Sequence, residues 1–203
     1  MTRERPQSRR RQPKGDKRQR TRAALLEAAR AVIREKGYER TTLVEVARRA
    51  GMTTGAIYGN FKNRDELFLA LGRAYWAPVK PKVALGASFA DAMRALASAT
   101  LAAVDERRPV AVGRLMGLAY TLQNPEMQAR VQEITKESFE FGAQWLRGFD
   151  VRDLPMAPEH LVRVLHVLIE GLVIQRILTP ELCPDALFYE AFAAFTPKRT
   201  VVT

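Results

Sequence analysis

The sequence is poor in the residues that build most covalent and metal-dependent sites. Its 203 residues include one cysteine, Cys183, and two histidines, His160 and His166. A single cysteine excludes an internal disulfide framework and a cysteine-based zinc site. The two histidines have no further metal-type ligand at useful spacing, so no metal site and no cofactor are expected. No apolar run reaches the roughly 18 residues that a membrane span requires. The opening MTRERPQSRRRQPKGDKRQR has no apolar core of the kind a secretory signal needs. Catalytic signatures are missing too: there is no GxSxG elbow, no P-loop, no Rossmann glycine fingerprint after a strand, and no plausible Ser-His-Asp spacing. Together these absences lead to the expectation of a non-enzymatic, soluble protein of a reducing cytoplasm.

Acidic residues are scarce in one place. Residues 1–70 carry 18 Lys and Arg against 8 Asp and Glu, whereas residues 71–203 carry 15 against 14. Almost all of the net charge of +11 therefore sits in the first third. Such asymmetry is the footprint of a nucleic-acid or other polyanionic surface. A tail that only aids solubility is the bland alternative. Residues 1–17 hold 7 basic and 2 acidic residues and almost nothing apolar. They cannot bury surface and read as a disordered basic arm. Arg9, Arg10, Arg11, Lys14, Lys17 and Arg18 are candidates for contact with phosphates or a minor groove.

What the chain does have is helical periodicity, with no stretch of strand-like alternation, so the expected fold is all-α with about nine helices. Leu25, Leu26, Ala29, Val32 and Ile33 recur at helical spacing, and Gly37 supplies a stop. Thr42 followed by Glu45 is a capping box opening a short apolar stripe of Leu43, Val46, Ala47 and Ala50, which Gly51 ends. Thr53 is placed to cap the next helix. Asn63 with Glu66 is a second capping box, before Leu67, Phe68, Leu71, Ala74 and Tyr75. Two short helices joined by a glycine turn form a helix-turn-helix signature, with AGMTTGAIYGNF carrying its second helix. Ile57 and Phe61 are expected to anchor that helix inward. The small Gly55, Ala56 and Gly59 let its backbone approach another surface, and Thr53, Thr54, Tyr58 and Asn60 are expected to face outward.

The run TTLVEVARRAGMTTGAIYGNFKNRDELFLAL resembles the DNA-binding domain of tetracycline-repressor-type (TetR) regulators. The resemblance covers about residues 18–78. It rests on Thr41-Thr42, on the Ala50-Gly51 turn, on the Tyr58-x-x-Phe61 pair and on the NRDEL opening of the next helix. It implies a homodimer on a palindromic double-stranded operator, most simply a repressor released by a small-molecule effector of unknown identity. Thr42 and Arg64 are placed to hold phosphates, together with Thr53 and Tyr58. Thr54, Gly55, Ala56 and Asn60 are the candidates for base edges.

Beyond residue 78 the patterns continue as helices: residues 88–107, one opening near Pro109, one from Asn124 to Phe149, the apolar PEHLVRVLHVLIEGLVIQRIL, and the short PDALFYEAFAAF. The resemblance makes residues 79–203 an effector-binding and dimerisation domain, with the dimer built on residues 158–195. Met116, Tyr120, Phe141 and Trp145 are candidates for an effector pocket, although such residues at helical spacing are more often core. On the helix near residue 160, the spacing suggests Glu159–Arg163 and His166–Glu170 pairs. Two other readings stay open: an architectural nucleic-acid binder driven by the arm alone, and an all-helical enzyme with a basic tail.

Overall fold

The computed structural model describes residues 14–196, with side chains from residue 17 onward except at Val151. Among the described residues there are nine α-helices and no strand. They are α1 (Lys14–Lys36), α2 (Leu43–Arg49), α3 (Thr54–Tyr58), α4 (Arg64–Tyr75), α5 (Phe89–Arg107), α6 (Ala111–Gln123), α7 (Pro125–Leu146), α8 (Pro158–Leu178) and α9 (Asp185–Ala193). The chain divides into two compact units between Leu71 and Gly72, a point inside α4. Helix α1 starts at Lys14, earlier than the apolar pattern indicates, so the last residues of the expected arm are helical. The run Lys17, Arg18, Gln19, Arg20 consists of straight-chain residues that lose little rotamer freedom in a helix, and that carries the helix ahead of its first buried residue.

The first unit has its own core. Leu25, Ala29, Val32 and Ile33 of α1 are buried with Leu43, Val46 and Ala47 of α2, Ile57 of α3, Phe61, and Leu67, Phe68 and Leu71 of α4. Tyr38 meets Phe68 edge to face with centroids 4.5 Å apart. Thr41 is fully buried, and its hydroxyl donates to the Gly37 carbonyl at 2.7 Å, so this polar group is satisfied where α1 ends.

In the second unit α5 packs against α8 and α9, and α7 against α6 and α8. Phe89, Met93, Leu96, Leu161, Leu165, Val173, Phe188 and Phe192 lie at the centre. Cys183 is fully buried in the same core. At one point α7 and α8 come very close: a Cβ built on Gly142 would lie 2.4 Å from Val162 Cγ2. A β-branched side chain has little freedom to move aside, so only glycine fits there. Among the described residues, no helix is long and apolar enough to cross a membrane, and no cluster of side chains could hold a metal ion.

Candidate nucleic-acid interface

The turn between α2 and α3 follows from one residue. Ala50 caps α2, and Gly51 takes φ +65°, where a side chain is strained. The Gly51 N–H then donates to Arg48 O at 3.1 Å and the Met52 N–H to Ala47 O at 2.9 Å. This is a Schellman closure, which satisfies the last carbonyls of α2 and sends the chain back across it. Thr53 starts α3 at once: its Oγ1 accepts the Ala56 N–H at 3.2 Å. Thr42 does the same for α2, accepting the Glu45 N–H at 3.2 Å.

Helix α3 is held from beneath and behind. Ile57 and Phe61 are 0% and 1% exposed, so both anchors are spent entirely on the core. Arg22 of α1 clamps the end of α3: its guanidinium lies 4.3 Å over the Phe61 ring and donates to the Asn60 carbonyl at 2.9 Å. Sequence reading did not single out Arg22, because 38 residues separate it from Asn60 and nothing local marks the pair. Held this way, α3 leaves Thr53, Thr54, Gly55 and Tyr58 exposed and Ala56 half-buried. Gly55 has ordinary negative φ, and a Cβ there would meet only Thr53 Oγ1 at 3.9 Å. Neither backbone nor packing within the protein requires a glycine at this exposed position.

Two candidates are arranged differently from expectation. Asn60 does not face outward: its Nδ2 donates to the Ala56 carbonyl at 2.8 Å, and its Oδ1 is buried with no hydrogen-bond partner. A bidentate contact to adenine needs both atoms accessible, so the geometry opposes that role. Capping its own helix holds the amide in. Arg64 is tied to the α1–α2 connection, donating to the Glu39 carbonyl at 2.8 Å with its guanidinium 5.7 Å from the Phe68 ring. Nearby, Asn63 Oδ1 accepts the Glu66 N–H at 2.9 Å, and the Glu66 carboxylate accepts the Lys62 N–H at 2.8 Å. This leaves the exposed Lys62 as a cation beside the Phe61 anchor, which sequence reading passed over. Its position one residue after the Tyr58-x-x-Phe61 pair is the signal that could have found it.

Other charges of this unit are spent between helices. Lys36 pairs with Glu45, and Arg49 with Glu35. The hydrogen bond from Arg49 holds the Glu35 carboxyl below its usual range. Of the arm candidates, Lys14, Lys17 and Arg18 lie in α1, with Lys17 and Arg18 exposed; Arg9, Arg10 and Arg11 lie outside the described residues.

With this geometry in view, residues 25–71 match the family described as bacterial regulatory proteins, tetR family. That match lies within the first unit and spans less than a quarter of the chain. Curated relatives match this chain over a segment of similar length. TtgR of Pseudomonas putida, an HTH-type transcriptional regulator, is 49% identical over 53 residues, which are 26% of this chain and 25% of TtgR. The chain thus spans about a quarter of the length of these relatives. Solved structures extend the likeness to both units. NalD, the secondary repressor of the MexAB-OprM multidrug efflux pump in Pseudomonas aeruginosa, superposes with a TM-score of 0.61 at 26% identity, covering 90% of this chain and 99% of NalD. SmeT in complex with triclosan shares the fold at a TM-score of 0.62 and 22% identity, over 91% of this chain and 95% of SmeT.

In the second unit the four candidate pocket residues stand in different surroundings. Tyr120 is buried with its hydroxyl accepting from Asn124 Nδ2 at 3.2 Å, and Met116 is half-buried. Trp145 packs edge-on against Phe149 at 5.2 Å. Phe141 is 69% exposed with the Lys80 ammonium 5.6 Å from its ring. Helical phase explains its exposure: near the end of α7 the buried residues are Ala143 and Leu146, and Phe141 lies about 160° and about 140° round the helix from them. Among the described residues an open groove of about 730 Å³ lies between α7 and α8, and none of these four residues lines it. Val131, Phe139, Ala143 and Val162 form its apolar part, and Lys136, Glu140, Arg147, Glu159 and Arg163 its charged part. The expected Glu159–Arg163 pair is replaced by Glu159 with Arg147, a contact between α7 and α8.

Proposed function

We propose that this chain is a transcriptional regulator that reads a palindromic operator with α3, acts as a homodimer, and releases DNA when a small molecule enters its second unit. The observation that carries the reading is α3 itself. It is a capped, doubly anchored helix whose exposed side is small and hydrogen-bonding, with a glycine at position 55 that the protein's own packing does not require. Thr54, Gly55 and Ala56 would meet base edges. Thr42, Thr53, Tyr58 and the added Lys62 would fix the domain on phosphates. SmeT, with the same fold, holds triclosan in its complex, which supports a small-molecule effector, and the α7–α8 groove is the candidate opening for it. The dimer surface is the side of α8 that carries Val164, Val167 and Leu178, all at least 40% exposed in the single chain, with Leu182 and Tyr189 beyond it. Repression, and action in the cytoplasm, follow from the same reading.

The test separates reading by α3 from binding by the arm. Thr54 is exposed at the first position of α3, where an acidic side chain suits the helix dipole. Thr54→Glu should therefore leave the fold intact, with an unchanged circular dichroism melt, and abolish operator binding by placing a carboxylate against DNA. A variant that still binds the duplex as the parent does would transfer the function to the arm and favour the architectural alternative.

A further inference from the structure

Two guanidinium groups converge on one carboxylate beside an indole in the second unit. Trp76, buried just after α4, donates its Nε1–H to the two oxygens of Glu170 at 2.8 and 2.7 Å. Arg107, at the end of α5, donates to Glu170 at 3.2 Å and to the Ala77 carbonyl at 2.7 Å. Arg114, on α6, donates to the other Glu170 oxygen at 3.3 Å. Both guanidinium carbons lie over the Trp76 ring, at 4.6 and 5.4 Å. Within the hydrogen-bonded cluster one carboxylate thus serves two guanidinium groups, with Glu106 a further acidic neighbour of Arg107, and the Nε of Arg114 is buried with no hydrogen-bond partner. A cluster serving only to staple helices would be better off balanced, since each unpaired buried polar group is a cost.

The cluster can be reached from outside. The side chains of Glu170 and Arg114 keep 24% and 29% of their surface accessible. One side chain links it to the groove, which none of its own members lines. His166, one turn before Glu170 on α8, meets Phe139 edge to face at 5.2 Å, and Phe139 lines the α7–α8 groove. Burial holds the His166 imidazole below its usual range; Glu170 opposes this, and Arg114 and Arg107 add to it, so the imidazole lies within reach of all three charged groups of the cluster.

We propose that this cluster is the charge-reading end of the effector site and takes the carboxylate of a small amphiphilic organic acid. In the bound state the ligand's carboxylate replaces that of Glu170 at Arg114, and its apolar body lies in the groove against Phe139 and Val162. Arginine suits this role because its planar fork matches a carboxylate and stays charged when partly desolvated. Glu170 then acts as an internal placeholder that the ligand displaces, and its release from Trp76 and the two arginines unties α8 from α5 and α6. The inference rests on the second unit being the effector unit.

The chain has two tryptophans, so Trp145→Phe in the full-length protein leaves Trp76 as the sole indole reporter. Octanoate and benzoate are titrated against octanamide and benzamide while Trp76 emission is followed. The expected result is a saturable change with at least one acid, which binds about tenfold or more tighter than its amide. Arg114→Gln should remove that preference. Glu170→Gln, with the placeholder's charge gone, should bind the acid about threefold or more tighter. Should Glu170→Gln fail to fold, the acid-against-amide comparison on the parent decides alone. Equal affinities for acid and amide, no saturable response to either acid, or a preference that survives Arg114→Gln would overturn the proposal. Duplex binding is measured on the same samples without ligand. A protein that binds DNA yet ignores both acids defeats this inference alone, and one that binds an acid yet no duplex defeats the regulatory reading alone.

Discussion

Asn60 has the side chain best suited to adenine, yet its amide is turned into its own helix, with Nδ2 on Ala56 O and Oδ1 buried. Asn60→Ala should therefore leave the base preference of the protein unchanged at every operator position, without the roughly 1–3 kcal/mol that loss of a direct base contact would cost. Binding to single-substitution operator duplexes checks this, and relaxed preference at one base pair would return Asn60 to the reading surface. His166 offers a second test. Burial first, then Arg114 and Arg107, hold its imidazole below its usual range against the opposing pull of Glu170. The folded chain thus keeps it neutral where the unfolded chain takes up a proton, so the unfolded state binds more protons. Its contribution is complete above about pH 6.5 and is lost as pH falls from there through the lowered folded-state value. Urea midpoints measured across this window should fall more steeply for the parent than for His166→Gln; parallel curves would contradict the assignment. At this scale the sequence was legible where roles are local. The caps Thr42 and Thr53 and the anchors Ile57 and Phe61 stand as their spacing indicates. Arg22 on Phe61 and Glu170 on Trp76 were not, because their partners lie 38 residues or more away.

Helices are the scale at which periodicity speaks most clearly, since a buried side repeats every three to four residues whatever it packs against. All nine expected helices are present among the described residues, including the five-residue α3, whose propensity is poor but whose cap and anchors are strong. Contact between helices was less legible. The spacing on α8 suggests pairs along its own surface, but Glu159 turns to Arg147 on α7 and Glu170 to three residues on other elements. A pair at helical spacing is worth only about 0.2–0.5 kcal/mol, so a partner on a neighbouring helix wins readily. The surroundings of the effector candidates depend on the same thing: the phase of α7 is set by what it buries, and none of the four lines the groove where α7 and α8 meet. Their approach depends on Gly142. Gly142→Ala places a methyl group against Val162 and should destabilise the second unit by about 1–3 kcal/mol through overpacking. Urea unfolding measures this; an unchanged midpoint would mean that α7 shifts at no cost.

For the whole molecule, under the proposed function, the charge of the first unit meets DNA and the exposed apolar side of α8 meets a second copy. Gly171 lies within that apolar side and is exposed, and a Cβ there meets nothing within 4 Å. Gly171→Glu should therefore spare the single chain's fold, convert a dimer into a monomer in sedimentation at micromolar concentration, and abolish operator binding with it. An undiminished dimer would place the interface elsewhere. The central claim is that two α3 helices, fixed by the symmetry of the dimer, read two half-sites. Selection of bound duplexes from a random library by the full-length protein tests it most directly. The predicted result is an enriched inverted repeat, its half-sites separated by about one helical turn of 10–10.5 base pairs or a multiple of it. Bound duplexes with no common sequence, or a single unrepeated site, would contradict it.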